Sequence, residues 1–225
     1  YIFGGKAVIP LVIRGQQGVG RGNAATHSQS MEALFLHFPG LKVAMPSDAS
    51  DAAGLLRTAI RDDNPVMFFE HKALYTSKCE VDDSPDFMIP FGKARILREG
   101  TDVTIIATHT YVQKSLNVAD KLAAEGISAE VIDPRTLVPM DWDTMAASIE
   151  KTGRAVVVHE AHRTGGAGAE IAAELSERTF RYLDSPILRL GAKSCPLPFN
   201  LGLENAVVPQ ESEIYEACKK ALYKA

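Results

Sequence analysis

The chain has 225 residues, 46% of them hydrophobic and 23% charged, with a formal net charge of −4. That length suffices for one large domain or two compact ones, each with a real core. The acidic balance gives no basis for nucleic-acid or anionic-membrane binding, and no apolar run approaches the roughly 20 residues of a membrane-spanning helix.

Three cysteines (Cys79, Cys195 and Cys218) show neither metal nor redox spacing, which points to a reducing, cytosolic setting. The sequence opens Tyr-Ile-Phe-Gly-Gly, with no initiator Met and no secretory signal, and reads as a piece of something longer. Short β-branched runs then alternate with amphipathic ones, the pattern of α/β layers. "AVIPLVIRG" (7–15) predicts a strand and residues 28–37 a helix closed by Pro39-Gly40. "LKVAMP" (41–46) predicts a strand, residues 47–62 a helix with Ser and Asp caps, and "PVMFFEH" (65–71) a third strand. Such strand–helix alternation with short joints implies parallel pairing and right-handed crossovers.

The stretch 76–92 is polar and turn-rich. A linker is set at 81–92, between a first domain at 1–80 and a second at 93–225. Beyond it, strands are predicted at 93–100, 102–109, 128–134, 154–161 and 186–192. Helices are predicted at 112–126, 141–153, 168–180 and 211–224, with Gly126 and Gly153 as stops. The second half reads as a doubly wound domain and the first as the back end of another. A chain cut inside a parallel sheet should expose strand edges and self-associate or take a partner.

Four stretches invite chemistry. In "RGNAATHSQSMEALFLHF" (21–38), Thr26-x-x-Gln29 matches a capping box, with Ser28 as an alternative cap. Either puts His27 in or beside a first helical turn, whose dipole opposes protonation. A neutral imidazole there could pass a proton; a plain cap-region histidine is the competing reading. The glycine-rich "RGQQGVGRGNAA" (14–25) matches neither phosphate-loop template and reads as a flexible loop that lets backbone approach a ligand. "AIRDDNP" (59–65) leaves Asp62, Asp63 and Asn64 at a helix C-terminus, as an Asx turn or as a site for a monovalent cation. His159 and His162 are spaced i,i+3 off a strand, which argues against a metal pair.

Residues 26–75, from "THSQSMEALFLHFPGLKVAMP" to "FFEHKALY", resemble the β subunits of thiamine diphosphate-dependent 2-oxo acid dehydrogenases. "VIDPRTLVPMDWDT" (131–144) and "VVVHEAHRTGGAGAEIAAEL" (156–175) resemble that family's C-terminal domain. The resemblance covers essentially the whole chain. It implies the latter part of a transketolase-type pyrimidine-binding domain, followed by a transketolase C-terminal-like doubly wound domain.

It also implies oxidative decarboxylation of a 2-oxo acid, pyruvate by default, with acyl transfer to lipoamide; the β subunit of an acetoin or branched-chain 2-oxo acid dehydrogenase is the alternative. His27 becomes the catalytic residue facing the reaction centre, with Ser28 and Gln29 as orienting neighbours. A potassium ion is implied at Leu11, Ala59, Ile60, Asp62 and Asn64. The cofactor is thiamine diphosphate with a divalent cation, held mainly by an α subunit and by about a hundred residues upstream. That upstream part would carry the glutamate that activates the cofactor, which is not assignable here. The implied partners are an α subunit in an α2β2 heterotetramer, and the lipoyl and subunit-binding domains of the acyltransferase core. The implied location is the cytoplasm, or the mitochondrial matrix in a eukaryote. A non-catalytic docking fragment on that core is the alternative.

Overall fold

Residues 2–223 are described by a computed structural model, in which the alternating sequence pattern builds two mixed sheets with helices packed on them. In chain order, β1 (Val12–Gln17) runs through a glycine loop to two short helices, α1 (Ala24–His27) and α2 (Glu32–Leu36). Then come β2 (Lys42–Ala44), α3 (Ala49–Ile60), β3 (Val66–His71) and a 3-10 turn, Lys72–Thr76. After an irregular stretch the chain forms β4 (Arg95–Arg98), β5 (Val103–Ala107), α4 (Thr110–Ala123), β6 (Ala129–Asp133) and β7 (Thr136–Val138). It ends with α5 (Trp142–Thr152), β8 (Ala155–His162), α6 (Ala167–Thr179), β9 (Leu188–Ala192), α7 (Leu201–Val207) and α8 (Glu211–Ala221).

Aspartates open two of the helices. Asp48 accepts the Asp51 N–H at 2.7 Å to open α3, and Asp141 accepts the Thr144 N–H at 3.2 Å to open α5. Gly153, at φ +68°, closes α5 in the left-handed conformation that glycine adopts without strain.

Several expectations are corrected. The strand predicted at 7–15 begins only at Val12, and Lys224 at the end of the last predicted helix lies outside the described residues. Of the helix predicted at 28–37 only α2 forms; α1 ends before that range, and 28–31 lies between the two. Ser28 and Ser30 direct their hydroxyls to distant carboxylates, and Gln29 gives its carbonyl to Gly18, so local polar bonding wins over helix continuation. The three-residue β7, between Pro134 and Pro139, and α7, after Pro196 and Pro198, were not foreseen.

In the first sheet the order is β1-β3-β2-β7, with β1 and β2 parallel to β3 and β7 antiparallel to β2. The second runs β4-β6-β5-β8-β9, parallel except for β4. Thus β7, from the segment 93–225, completes the sheet of the segment 1–80. The stretch 81–92 is tied down as well. Ile89 packs into the core of α3, Arg57 donates to the Ser84 and Phe87 carbonyls at 2.6 and 3.3 Å, and Thr58 donates to the Ile89 carbonyl at 2.7 Å.

One apolar cluster belongs to both halves. Val43, Met45, Met67 and Phe69 of the first sheet pack with Ile106, Ile132 and Val157 of the second and with Ile149 and Ile171 of α5 and α6. Each fully buried side chain of this size contributes about 1.5–3 kcal/mol. A polar junction flanks the cluster. Arg135, at φ +61°, pairs with buried Asp51 at 2.9 Å, Arg95 with Asp48 at 3.0 Å, and the Ser47 hydroxyl donates to Asp133.

Burial, and after it the neighbouring Asp51, pushes the Asp133 carboxyl up to about 7, against the bonds from Ser47 and the Arg135 N–H. With the folded value above the unfolded one, folding favours the protonated form; that stability is present at low pH and lost as pH rises towards 7. Asp133→Asn should therefore gain on the native protein by up to ~1.4 kcal/mol per pH unit between about pH 5 and 7. Urea titrations of both proteins across that range read it, and a pH-independent difference contradicts it.

Candidate active site

Where β1 ends, the glycine loop turns with Gly18 and Gly20 at φ +95° and +101°, conformations that expose several backbone N–H groups in a row. Those donors are taken by two buried carboxylates of the second half. Glu160 of β8 accepts the Val19 N–H at 2.8 Å and the Ser30 hydroxyl at 3.1 Å. Glu204 of α7 accepts the Gly20 and Gly22 N–H groups at 2.9 and 3.4 Å and the Ser28 hydroxyl at 3.2 Å. The expectation that this loop keeps its backbone free for a ligand is corrected here: the protein's own carboxylates hold it.

Glu160 also meets His71, at the end of β3, at 2.8 Å. Nδ1 of His71 accepts the Ala73 N–H at 3.2 Å, so Nε2 carries the proton and donates to Glu160. Burial alone would raise the Glu160 carboxyl; the hydrogen bond from His71, with the Val19 N–H, outweighs it and holds the group below its ordinary range. Behind this pair, His109 sits at φ +52°, with its ring 5.4 Å from that of His71 and Nε2 donating to the Phe69 carbonyl at 3.1 Å. Burial brings His109 down to about 3, so it is neutral. A non-glycine residue at that φ is strained, and such strain gathers at functional sites. Glu32, at the start of α2, is buried and raised by that burial to about 7, with the Gln17 amide donating to it at 2.9 Å.

His27 stands on the open side of this network. It is exposed and lines a cavity of about 620 Å³ with Gln16, Asn23, Thr26, Gln29, Met31 and Lys72. The Lys72 ammonium donates to its main-chain carbonyl. Burial lowers the Lys72 pKa, against the opposing pull of Glu204 and Glu160. Two sequence arguments fail here. His27 ends the four-residue α1 instead of starting a helix, so the positive end of a dipole does not act on it, and no capping box forms because Thr26 donates to the Asn23 carbonyl. Ser28 and Gln29 fix the loop's backbone and hydroxyl positions; neither bonds the His27 ring.

The predicted cation residues are gathered at one end of α3. Asp62 accepts the Asn64 N–H and side-chain amide at 2.9 and 3.1 Å, an Asx turn, while the Leu11 carbonyl accepts the Val66 N–H and the Ala59 carbonyl the Asp62 N–H. Lys42 already pairs with Asp62 and holds its carboxyl below the usual range despite partial burial. His159 and His162 diverge. His159 is buried under the first turn of α6, where Gly166 and Gly168 leave room for its ring, and burial lowers it to about 4. His162 donates Nδ1–H to the Lys193 carbonyl at 2.8 Å.

Sequence reasoning missed Glu160, Glu204, His71, His109 and Lys72. "HEAH" drew attention to its histidines, while its glutamate is the residue that reaches the loop. A Cβ at Gly18 would lie 2.2 Å from the His71 Nε2 and 2.8 Å from Glu160. Gly18→Ala should therefore cost more than the ~1–2 kcal/mol of left-handed strain alone, read as a lowered denaturant midpoint. A cost within that range would contradict the packing described.

Two family models match the chain: the transketolase pyrimidine-binding domain over residues 1–78 and the transketolase C-terminal domain over 92–214. The pyruvate dehydrogenase E1 component subunit beta of Rickettsia felis is 45% identical over 223 residues, 99% of this chain and 68% of that protein. The acetoin:2,6-dichlorophenolindophenol oxidoreductase subunit beta of Cupriavidus necator is 44% identical over 222 residues, 99% of this chain and 65% of that one. A solved split-gene transketolase, described as an inactive beta4 tetramer, superposes with a TM-score of 0.76 at 26% identity, over 96% of this chain and 67% of that one. The chain spans about half to two thirds of the length of the curated relatives it matches, some of which are mitochondrial. Among the described residues, no helix is long and apolar enough to cross a membrane. The chain belongs to the transketolase-like family of pyruvate dehydrogenase E1 component β subunits.

Proposed function

We propose that the chain works as the β part of a 2-oxo acid dehydrogenase, with an α subunit, in the decarboxylation of pyruvate and the transfer of its acyl group to a lipoyl group. The observation that carries this is His27: an imidazole exposed on a cavity, on a loop fixed from behind by buried carboxylates. The acetoin relative, 44% identical, keeps acetoin as the second reading. The division into 1–80, 81–92 and 93–225 belongs to the same proposal.

When bound, thiamine diphosphate supplies the electron sink for decarboxylation. The residues here suit only the reacting end of that group. Among the described residues, Lys72 is the one lysine or arginine lining the His27 cavity, and no cluster of three His, Cys, Asp or Glu could hold a divalent ion. The diphosphate and its ion therefore fall to the α subunit and the upstream part in this reading. His27 moves a proton to the dithiolane sulfur that is released as the other sulfur takes the acyl carbon. Reaching that sulfur requires an exposed ring, which His27 has.

A potassium ion at Leu11, Ala59, Ile60, Asp62 and Asn64 draws support from the helix-end carbonyls gathered there; Lys42 is its competing cation. The α2β2 assembly draws support from half-exposed apolar side chains in and just before β1, an edge strand among the described residues: Ile9, Leu11 and Ile13. The lipoyl and subunit-binding domains of the acyltransferase core complete the partners. The cytoplasm or the mitochondrial matrix is the location consistent with relatives of both origins.

In the assembled enzyme, His27→Ala should lower reductive acylation of a lipoyl domain by about 10²–10⁴-fold. Decarboxylation, read with an artificial electron acceptor, should fall far less. Equal losses on both steps, or none, contradict the role of His27.

A further inference from the structure

We propose that Glu204, in the C-terminal domain, is a positioning residue for His27: its buried carboxylate gathers Ser28, Gly20 and Gly22 and fixes the peptide that carries the imidazole. The inference rests on the function proposed for His27 and adds the group that makes its placement reproducible.

Three observations carry it. The first is where Glu204 bonds. It is fully buried, and one oxygen accepts the hydroxyl of Ser28, the residue next to His27, at 3.2 Å. The other accepts the N–H groups of Gly20 and Gly22 at 2.9 and 3.4 Å. The Lys72 ammonium donates to the His27 carbonyl, in the peptide that joins His27 to Ser28. Glu204 and Lys72, which attract each other, thus hold neighbouring groups of the His27–Ser28 segment.

The second is that α7 is itself immobilised. Asn200 caps it with bonds to the Gly202 and Leu203 N–H groups at 2.9 and 3.2 Å. Lys193 donates to the Ala206 carbonyl at 2.7 Å, and Gln210 to the Asn205 carbonyl at 2.6 Å. The third is close packing between loop and helix. Val19 is buried with Leu197, Val207 and Val208, and a Cβ at Gly22 would lie 2.7 Å from the Phe199 carbonyl. A loop of glycines has no preferred shape of its own, so its shape comes from these partners. Removing the carboxylate would strand three donors, two of them on buried residues, Ser28 and Gly22.

The test compares Glu204→Ala, the equal-volume Glu204→Gln and Ser28→Ala with the native protein and with His27→Ala, all in the assembled enzyme. Two quantities are read: the ratio of lipoyl-domain acylation to decarboxylation into an artificial acceptor, and amide exchange across residues 18–30. Glu204→Ala should lower the ratio about ten- to a hundredfold and speed exchange across the loop. Glu204→Gln and Ser28→Ala, which keep part of the bonding, should fall in between, and they keep the test decisive if the alanine variant does not fold. Faster exchange with an unchanged ratio, while His27→Ala lowers that ratio, makes Glu204 merely structural and overturns the proposal. An unchanged ratio in His27→Ala overturns the proposed function itself, and the positioning role with it.

Discussion

His71 and Glu160 meet at 2.8 Å with almost no contact with water, one from the end of β3 and the other from β8, so this buried hydrogen bond ties the two halves of the chain together. Much of the site depends on it. The bond offsets the cost of burying Glu160 as an anion, and that anion then has an oxygen free to take the Val19 N–H and the Ser30 hydroxyl. Without a partner, a carboxyl so deeply buried would favour its neutral form and would be a weaker acceptor for the loop. Gly18 is part of the same constraint, since only glycine leaves room for the His71 ring beneath the loop.

A division of labour follows. The first half carries the exposed chemical group, His27, on a segment rich in glycine and short polar residues. The second half, more regular and more deeply packed, supplies the fixed carboxylates that shape that segment. The shared apolar cluster and the Asp51–Arg135 pair hold the halves in register, so the carboxylates arrive at the loop from a rigid body. A preorganised environment of this kind avoids reorganisation when charge moves at the site.

Elements with strong local signals were legible in the sequence: α3 from its Asp cap and apolar spacing, α5 from its Gly153 stop, and β3, β5 and β8 from their β-branched and aromatic runs. The break at 28–31 was not legible, because Ser28 and Ser30 look like helix caps until the distant Glu204 and Glu160 are known. β7 is three residues long, and what makes it a strand is pairing with β2 across the linker, which no local pattern encodes. His27 was found through its motif and not through its environment, and the dipole argument offered for it had the wrong end of the helix. The carboxylates were invisible for a physical reason: a glutamate's partners 141 and 184 residues away along the chain, Val19 and Gly20, leave no periodicity.

The claim on which the account turns is that the His71–Glu160 bond stabilises the join between the halves. A double-mutant cycle with Glu160→Gln, His71→Gln and the pair, read by chemical denaturation, measures it most directly. The account predicts a coupling of about 1.5–3 kcal/mol, the range for a hydrogen bond to a charged group. Additive single-mutant losses, with coupling below about 0.5 kcal/mol, would contradict it.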